Sequence, residues 1–173
     1  MPHTIEPAVS GRAKCRGCRQ SIAKGELRFG ESLPNPFADG DMTIWFHIDC
    51  GALRRPESFL EVLDTDDVLP ADESARLREI ATFGAEHPRV ERIAGAERAS
   101  SGRAKCRECR ESIKKDQWRI ALEFFEEGMF NPSGYLHTTC ASRYFGTPDV
   151  MDRIEKFGAL EPADISEVAA NIA

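Results

Sequence analysis

The sequence contains one segment twice, and each copy is followed by a second pair of metal-ligand residues. Residues 11–28 read GRAKCRGCRQSIAKGELR, and residues 102–119 read GRAKCRECRESIKKDQWR. A Cys-x-x-Cys lies in each copy and a His-x-x-Cys follows it, with a period of roughly ninety residues between the copies. The two predicted ligand sets are Cys15, Cys18, His47 and Cys50, and Cys106, Cys109, His137 and Cys140. Together they use all six cysteines of the chain.

This donor set predicts two structural zinc ions per chain. Three thiolates and one imidazole form a soft, four-coordinate set that suits Zn²⁺, and four protein ligands leave no open position for an activated water. Intervals of 28 and 27 residues separate the ligand pairs, so a hairpin or small sheet has to bring them together. Disulfides are the alternative, but the opening MPHTIEPAVS lacks the apolar core of a signal peptide. A redox Cys-x-x-Cys normally lies beside a βαβ pattern, which is absent here.

Chain length and the repeat predict two small domains. We expect a first zinc finger with trailing helices over residues 1–84, a connector over 85–101 and a second finger with trailing helices over 102–173. At about eighty residues an apolar core alone is marginal, and structural zinc supplies about 10 to 16 kcal/mol in small finger peptides. Each finger should therefore unfold when its metal is chelated.

Hydrophobic periodicity predicts strands near the metal ligands. Residues 118–124 alternate between apolar positions and Arg119, Ala121 and Glu123, a period of two that indicates a strand with one face outward. Arg119 is predicted to point into solvent, and so is Arg28 at the matching place. Residues 43–49 are expected to form a second strand that carries Trp45 beside the zinc ligands. Trp45 and its counterpart Tyr135 are predicted to be core residues.

Proline positions predict two helices after each finger. Pro56 and Pro148 are expected to open short helices, because the first helical residue needs no N–H group. Second helices are expected to start at PADES, from Pro70, and at PADIS, from Pro162.

Charge is distributed unevenly along the chain. The net charge is −6, yet residues 11–56 contain eight Lys/Arg against five Asp/Glu, and residues 102–147 contain eight against six. Residues 57–101 hold five basic and eleven acidic side chains, so the fingers are basic and the helices acidic. No segment approaches the roughly eighteen apolar residues of a membrane span. We therefore expect a soluble protein of a reducing, intracellular compartment.

The repeated segments resemble the zinc finger of poly(ADP-ribose) polymerase type, which also occurs on DNA ligase III. The resemblance rests on SGRA, Cys-x-x-Cys, a Ser-Ile with a nearby Lys and Arg, and an aromatic residue two positions before His-x-x-Cys, at residues 10–50 and 101–140. It implies an α+β fold of two tandem domains, each a small antiparallel sheet with packed helices. It also implies recognition of DNA nicks and double-strand ends by their structure and not by their sequence.

By this resemblance, specific residues are expected to contact DNA. Arginine forks suit phosphate oxygens and position a protein without reading sequence; an apolar loop would cover the base pair exposed at a break, where stacking is worth about 1 to 3 kcal/mol per base. Phe37 and Phe130 are the preferred stacking residues, although they could instead anchor their own loops. The implied DNA-binding residues are Arg12, Arg28, Phe37, Ile44, Arg103, Arg119, Met129 and Phe130. Whether the other cations near the cysteines bind DNA stays open at this point.

The resulting hypothesis is a non-enzymatic sensor or repair adaptor that binds broken DNA. No residues are left over for a catalytic domain once the fingers and helices are assigned, so a separate DNA repair enzyme is an expected partner, whereas a membrane or a small-molecule substrate is not. The alternative is a protein-interaction adaptor that recruits a repair enzyme and has little DNA affinity itself. The expected location is the cytoplasm or nucleoid in a bacterium and the nucleus in a eukaryote.

Overall fold

The computed structural model describes residues 2–173, which form two compact units. Of these residues, one unit comprises 2–86 and 126–130, and the other comprises 87–125 and 131–173. The first repeat contains strands β1 (Thr4–Pro7), β2 (Leu27–Pro34) and β3 (Asp41–His47) and helices α1 (Ile48–Arg54), α2 (Pro56–Thr65) and α3 (Ala71–Glu86). The second contains β4 (Ile93–Arg98), β5 (Trp118–Glu126), β6 (Met129–His137), α4 (Ala141–Phe145), α5 (Met151–Phe157) and α6 (Pro162–Asn171). Short 3-10 helices cover Pro88–Arg92 and Thr138–Cys140.

The first repeat builds its core between an antiparallel sheet, ordered β1-β2-β3, and its helices. Phe29 on β2, Phe46 on β3 and Phe59 on α2 are fully buried, and the Phe29 and Phe59 rings meet edge to face at 5.2 Å. Helix α1 lies close to the sheet at Gly51, where a Cβ atom would come within 2.6 Å of the Phe29 ring. This close packing places Cys50, the residue before Gly51, against the sheet.

The second repeat has the matching sheet, ordered β4-β5-β6. Its first strand, β4, lies inside the segment predicted to be a connector, so residues 93–98 are sheet and not linker. Ile93 is fully buried, and Gly95, at φ 133°, lies where a Cβ atom would be 3.0 Å from the Cα of Gly158. The long-range pairing with β5, invisible in local composition, is what orders this segment. The finger boundaries drawn from the repeat stay a prediction.

Helix starts follow the predicted prolines in part. Pro56 and Pro162 occupy the first turns of α2 and α6, as expected from a residue without an N–H group. The prediction for Pro148 is wrong, because α5 begins only at Met151. Helices α1 and α4 were not anticipated, since each is short: α1 begins directly after His47 and contains Cys50, and α4 begins directly after Cys140.

The predicted α+β class, with two small antiparallel sheets and packed helices, is confirmed. The predicted solvent-facing position of two arginines is wrong: Arg28 and Arg119 are each only 5% exposed. Glu123, on the same predicted outer face, is 4% exposed. Trp45 and Tyr135, predicted to be core residues, are only partly buried. Within residues 2–173, no helix is both long and apolar enough to cross a bilayer.

Candidate zinc centres and nucleic-acid interface

Each predicted ligand set comes together in space as one donor cluster. The donor atoms of Cys15, Cys18, His47 and Cys50 all lie within 4.8 Å of one another, and so do those of Cys106, Cys109, His137 and Cys140. The Nδ1 atom of His47 is 3.3 Å from the Cys18 sulfur and 4.0 Å from the Cys50 sulfur. In the second cluster the corresponding distances from His137 are 3.3 and 3.9 Å. With Zn–S near 2.3 Å and Zn–N near 2.0 Å, a tetrahedral site needs S···N distances of about 3.6 Å. The residues present therefore fit zinc at both sites.

Both histidines are oriented for metal binding through the same ring nitrogen. The Nε2 group of His47 donates to the Ser21 carbonyl over 3.1 Å, and that of His137 donates to the Ser112 carbonyl over 3.2 Å. This fixes the tautomer and leaves Nδ1, the nitrogen that faces the sulfurs, as the metal ligand. The two serines belong to the Ser-Ile pairs of the repeated segment, which gives that part of the motif a structural role.

Each cluster contains one thiol that ionises more readily than a free cysteine. A hydrogen bond from Cys50 lowers the pKa of Cys15 to about 5, against the opposing effect of burial. Burial opposes ionisation of Cys106 too, but the backbone N–H groups of Cys109 and His137 lower its pKa to about 7. Burial raises the pKa of Cys18 and of Cys140. Because zinc binds thiolates, loading each site releases protons from the thiols that stay neutral without it.

The Cys-x-x-Cys turns hold their basic residues at the surface. After the second cysteine, Arg19 and Arg110 adopt positive φ angles of 66° and 70°, and their N–H groups donate back to the carbonyls of Cys15 and Cys106. The turns are joined to the sheets by hydrogen bonds from Arg16 N–H to the Trp45 carbonyl and from Arg107 N–H to the Tyr135 carbonyl, both 2.9 Å. The exposed cations next to the cysteines are Arg12, Lys14, Arg16 and Arg19 in the first repeat and Arg103, Lys105, Arg107 and Arg110 in the second.

These cations share a surface in the first repeat. Arg12, Lys14, Arg16 and Arg19 line one groove, together with Thr43, Ile44 and Trp45 of β3. The Ser10 and Ser101 hydroxyls accept the N–H groups of Arg12 and Arg103, each over 3.4 Å, so the SGRA turn has the same local geometry in both repeats. Arg12 and Arg103 are thus exposed, as their predicted role requires.

Arg28 and Arg119, by contrast, are buried, and the guanidinium group of each stacks on an aromatic ring of the neighbouring strand. The guanidinium carbon of Arg28 is 3.5 Å from the centre of the Trp45 ring, and that of Arg119 is 3.6 Å from the centre of the Tyr135 ring. The Trp45 ring can lie across β2 because its cross-strand partner is Gly30, where a Cβ atom would be 2.6 Å from the indole. These two arginines are therefore held by a cation–π contact, not displayed freely.

Sequence reasoning missed the carboxylates that pair with these arginines. Glu6 lies directly opposite Arg28 in the β1–β2 register, and Glu97 directly opposite Arg119 in the β4–β5 register. Arg28 donates from Nη2 to Glu6 over 2.9 Å, whereas the closest Arg119–Glu97 approach is 3.6 Å. The available signal was that a Glu stands four residues before the Ser of each Ser-Gly-Arg-Ala, at equivalent positions of both copies.

The four apolar residues predicted to meet a broken DNA end divide into two exposed and two buried side chains. Phe37 is 86% exposed and Met129 is 50% exposed, but Ile44 is 2% and Phe130 is 6% exposed. The buried pair therefore fills the interior, which corrects the expected surface position of Ile44 and Phe130. The Phe130 ring packs on the guanidinium of Arg54, 3.7 Å from the ring centre.

The Phe37 loop is tied at its base. The N–H group of Asn35 donates to the Gly40 carbonyl over 2.9 Å, and the Asn35 side chain accepts the N–H group of Phe37, also over 2.9 Å. Gly40 closes the turn at φ 91°, a region that suits glycine. An aromatic ring is thus held out in solvent on a closed loop between β2 and β3.

Comparison with known proteins places these features in a family. The profile described as "Poly(ADP-ribose) polymerase and DNA-Ligase Zn-finger region" matches residues 6–82. A poly [ADP-ribose] polymerase of Sarcophaga peregrina is 28% identical over 97% of this chain and 19% of its own length. Poly [ADP-ribose] polymerase 1 of Oryza sativa subsp. japonica is 31% identical over 79% of this chain and 14% of its own. Poly [ADP-ribose] polymerase 1 of Gallus gallus is 32% identical over 69% of this chain and 13% of its own length. The chain thus spans less than a fifth of the length of these relatives, and the part matched by the profile is a zinc-finger region.

Proposed function

Since relatives of 31% and 32% identity that cover 79% and 69% of the chain, together with the match over residues 6–82, show that it belongs to the zinc-finger family of poly(ADP-ribose) polymerase and DNA ligase, we propose that it binds DNA strand breaks by their shape. In this proposal the two zinc ions are structural, and the chain acts without catalysis as a damage sensor or repair adaptor beside a separate DNA repair enzyme. Such a protein would work where the DNA is, in the nucleoid of a bacterium or the nucleus of a eukaryote.

The single observation that carries the proposal is the exposure of Phe37. A ring that is 86% exposed on a hydrogen-bonded loop has no partner in its own fold that explains its position. The flat face of a base pair, which becomes accessible only where a duplex is interrupted, is a suitable partner for such a ring. Base–aromatic stacking is worth about 1 to 3 kcal/mol per base and does not depend on sequence.

The cations around the zinc sites supply the complementary contact to the backbone. Arg12 and Arg103 are exposed at equivalent places of the two repeats, and Lys14 and Arg16 share a groove with Arg12. Their charges suit phosphate oxygens, and each neutralised phosphate would steepen the logarithmic salt dependence by about 0.9. Because phosphate contacts carry no base information, the combination of cations and a stacking ring predicts selectivity for breaks over sequence.

The zinc ions would serve this function by fixing the platform. Cys15 and Cys18 start the basic turn, whereas His47 and Cys50 end β3 and begin α1. Zinc bound by these four residues would crosslink the two segments, and the chain's own residues hold the arginines and the Phe37 loop around the site.

The proposal is tested by competition between DNA forms. Zinc-loaded protein is titrated with a labelled nicked duplex while unlabelled nicked or covalently closed circles of the same sequence compete. We expect the nicked circle to compete about tenfold or more better, the order of one stacking contact. Equal competition by both circles, or no DNA binding at low salt, would rule out break recognition and favour the protein-interaction alternative.

A further inference from the structure

The two arginines that lie inside the sheets each have a carboxylate on their solvent side. The Arg28 side chain is 6% exposed and that of its partner Glu6 is 42% exposed. In the second repeat the values are 6% for Arg119 and 49% for Glu97. In each pair the carboxylate is thus much more accessible to solvent than its arginine.

The carboxylates leave part of each guanidinium without a partner. The Nε atoms of Arg28 and Arg119 are buried and have no hydrogen-bond partner, although Arg28 donates from Nη2 to Glu6. A guanidinium offers five N–H groups in a planar fork, and oxyanions commonly bind such a fork through two of them. Each arginine thus has an unused donor that a better-placed oxyanion could satisfy.

The same triad of arginine, aromatic ring and glutamate occurs in both repeats, although the aromatic ring differs. Trp45 stacks on Arg28 and Tyr135 on Arg119, at 3.5 and 3.6 Å from the ring centres. In each, the glutamate stands directly opposite the arginine on the neighbouring strand. The ring holds the guanidinium plane from one side, so that loss of the carboxylate would not by itself release the arginine from the sheet.

We propose that Glu6 and Glu97 compete with DNA phosphate for Arg28 and Arg119. Each glutamate pairs with its arginine until a phosphate group replaces the carboxylate. This inference rests on the proposed function, since it identifies what limits phosphate binding at Arg28 and Arg119. The exchange replaces one anion by another on a guanidinium that the ring keeps in place. The glutamates therefore reduce affinity for all DNA forms and leave the preference for breaks unchanged.

The two repeats differ in the strength of this competition. The Arg28–Glu6 pair is a 2.9 Å hydrogen bond, but Arg119 and Glu97 approach only to 3.6 Å, too far for one. Removing the Glu6 charge is therefore expected to raise affinity more than removing the Glu97 charge. If the ion pair served only to hold the two strands together, removing the glutamate charge would loosen the sheet and lower the affinity for DNA.

The test compares Glu6→Gln and Glu97→Gln in the full, zinc-loaded chain, with Glu57→Gln and Glu155→Gln as matched controls. The controls each remove one exposed negative charge, from α2 and α5, that no arginine in these triads contacts. Binding to nicked and continuous duplexes is measured by fluorescence anisotropy. We expect Glu6→Gln to tighten binding to both duplexes about fivefold, the upper range of a partly exposed ion pair, and Glu97→Gln to do so by less than half as much. The controls should change binding by less than about twofold.

A second readout does not depend on DNA. The arginine Nη–H signals in ¹H–¹⁵N spectra report hydrogen exchange, and Glu6→Gln should speed exchange of the Arg28 Nη2 group, which donates to Glu6, while zinc content stays at two per chain. If Glu6→Gln loosens β1, Glu6→Thr, which retains a strand-forming residue, replaces it in both measurements.

The outcomes separate this inference from the proposed function. If the wild-type protein binds nicked DNA but Glu6→Gln raises the affinity no more than the Glu57→Gln control does, the proposed competition by the glutamates is overturned and the proposed function is not. Weaker DNA binding by Glu6→Gln than by the wild type would also overturn the competition, and would mean that the Arg28–Glu6 pair serves to hold β1 and β2 together. Absence of DNA binding in every variant would overturn the proposed function and this inference with it.

Discussion

At the residue scale, the most informative feature is the contrast between two phenylalanines that occupy comparable places before their zinc ligands. Phe37 is 86% exposed and Phe130 is 6% exposed. Their sequence contexts are similar, with a proline and a glycine close by in each loop. The difference arises because the Asn35–Gly40 hydrogen bond closes a projecting loop in the first repeat, whereas Phe130 lies on β6 and its ring packs on the guanidinium of Arg54, 3.7 Å from the ring centre. Only the first ring is available for stacking.

Replacing Phe37 by alanine should remove selectivity for breaks. We expect Phe37→Ala to reduce the nicked-over-continuous preference about tenfold or more, as loss of one stacking contact requires, with affinity for continuous duplex nearly unchanged. Val68→Ala is the control, because Val68 is also exposed, at 49%, but lies between α2 and α3. Unchanged selectivity in Phe37→Ala, measured by the same circle competition, would remove the ring from the mechanism.

Replacing the exposed arginines of the SGRA turns should change the salt dependence of binding. Arg12→Gln and Arg103→Gln should each flatten the slope of log affinity against log salt by about 0.9 if the side chain contacts one phosphate. Arg78→Gln removes an exposed arginine paired with Asp64 on the helical side and should leave the slope as it is. Titrations at several salt concentrations measure this, and a slope that stays the same in Arg12→Gln would mean that the residue only solvates the turn.

At the element scale, the zinc site of the first repeat depends on how closely α1 approaches β2. Cys50 is the third residue of α1, and Gly51 follows it against the Phe29 ring. A helix that stood further from the sheet would carry the Cys50 sulfur away from the other ligands. The glycine is therefore required by the close approach of two elements, a feature that the ligand spacing alone does not reveal.

Gly51→Ala should weaken both the fold and the metal site. The added methyl group would lie 2.6 Å from the Phe29 ring, so α1 has to shift, and such overpacking typically costs about 1 to 3 kcal/mol. We expect a lower melting temperature and faster zinc loss to a chromogenic chelator from one of the two sites. Gly11→Ala is the matched control, since the nearest atom there is 3.9 Å away. Equal zinc loss rates in both variants would contradict this account of the packing.

At the scale of the whole molecule, the chain repeats one metal-stabilised unit with its own sheet and helices. Each repeat has a separate buried core, centred on Phe29 and Phe46 in the first and on Ile120 and Leu136 in the second. Neither core is large, and small domains of this kind commonly depend on a bound metal. Zinc should therefore decide whether each repeat is folded.

Loss of one zinc ligand should unfold one repeat and leave the other. We expect Cys50→Ser to retain one zinc per chain and to lose the dispersed NMR signals of the first repeat, and Cys140→Ser to do the same for the second. Both outcomes follow because structural zinc contributes about 10 to 16 kcal/mol, comparable to the whole stability of a small domain. Elemental analysis and ¹H–¹⁵N spectra measure them. Retention of all signals in an excess of chelator would show that the cores fold without metal.

Several features of this protein could be predicted from its sequence because they depend on short chain segments. The two-residue spacing in Cys-x-x-Cys and His-x-x-Cys brings each ligand pair together locally, and the repetition of the pattern identifies the sites, the α+β class and the family resemblance. The helices at Pro56 and Pro162 follow from the same kind of local rule.

Tertiary structure alone decided which of the predicted contact residues reach the surface. Arg28 and Arg119 have the alternating pattern of an outer strand face, yet they lie under Glu6 and Glu97 and against aromatic rings from other strands. The strand in the predicted connector and the opposite exposures of Phe37 and Phe130 likewise result from pairing and packing between segments far apart in the chain. Local periodicity reports which side of a strand a residue occupies, but burial depends on what the rest of the chain places over that side.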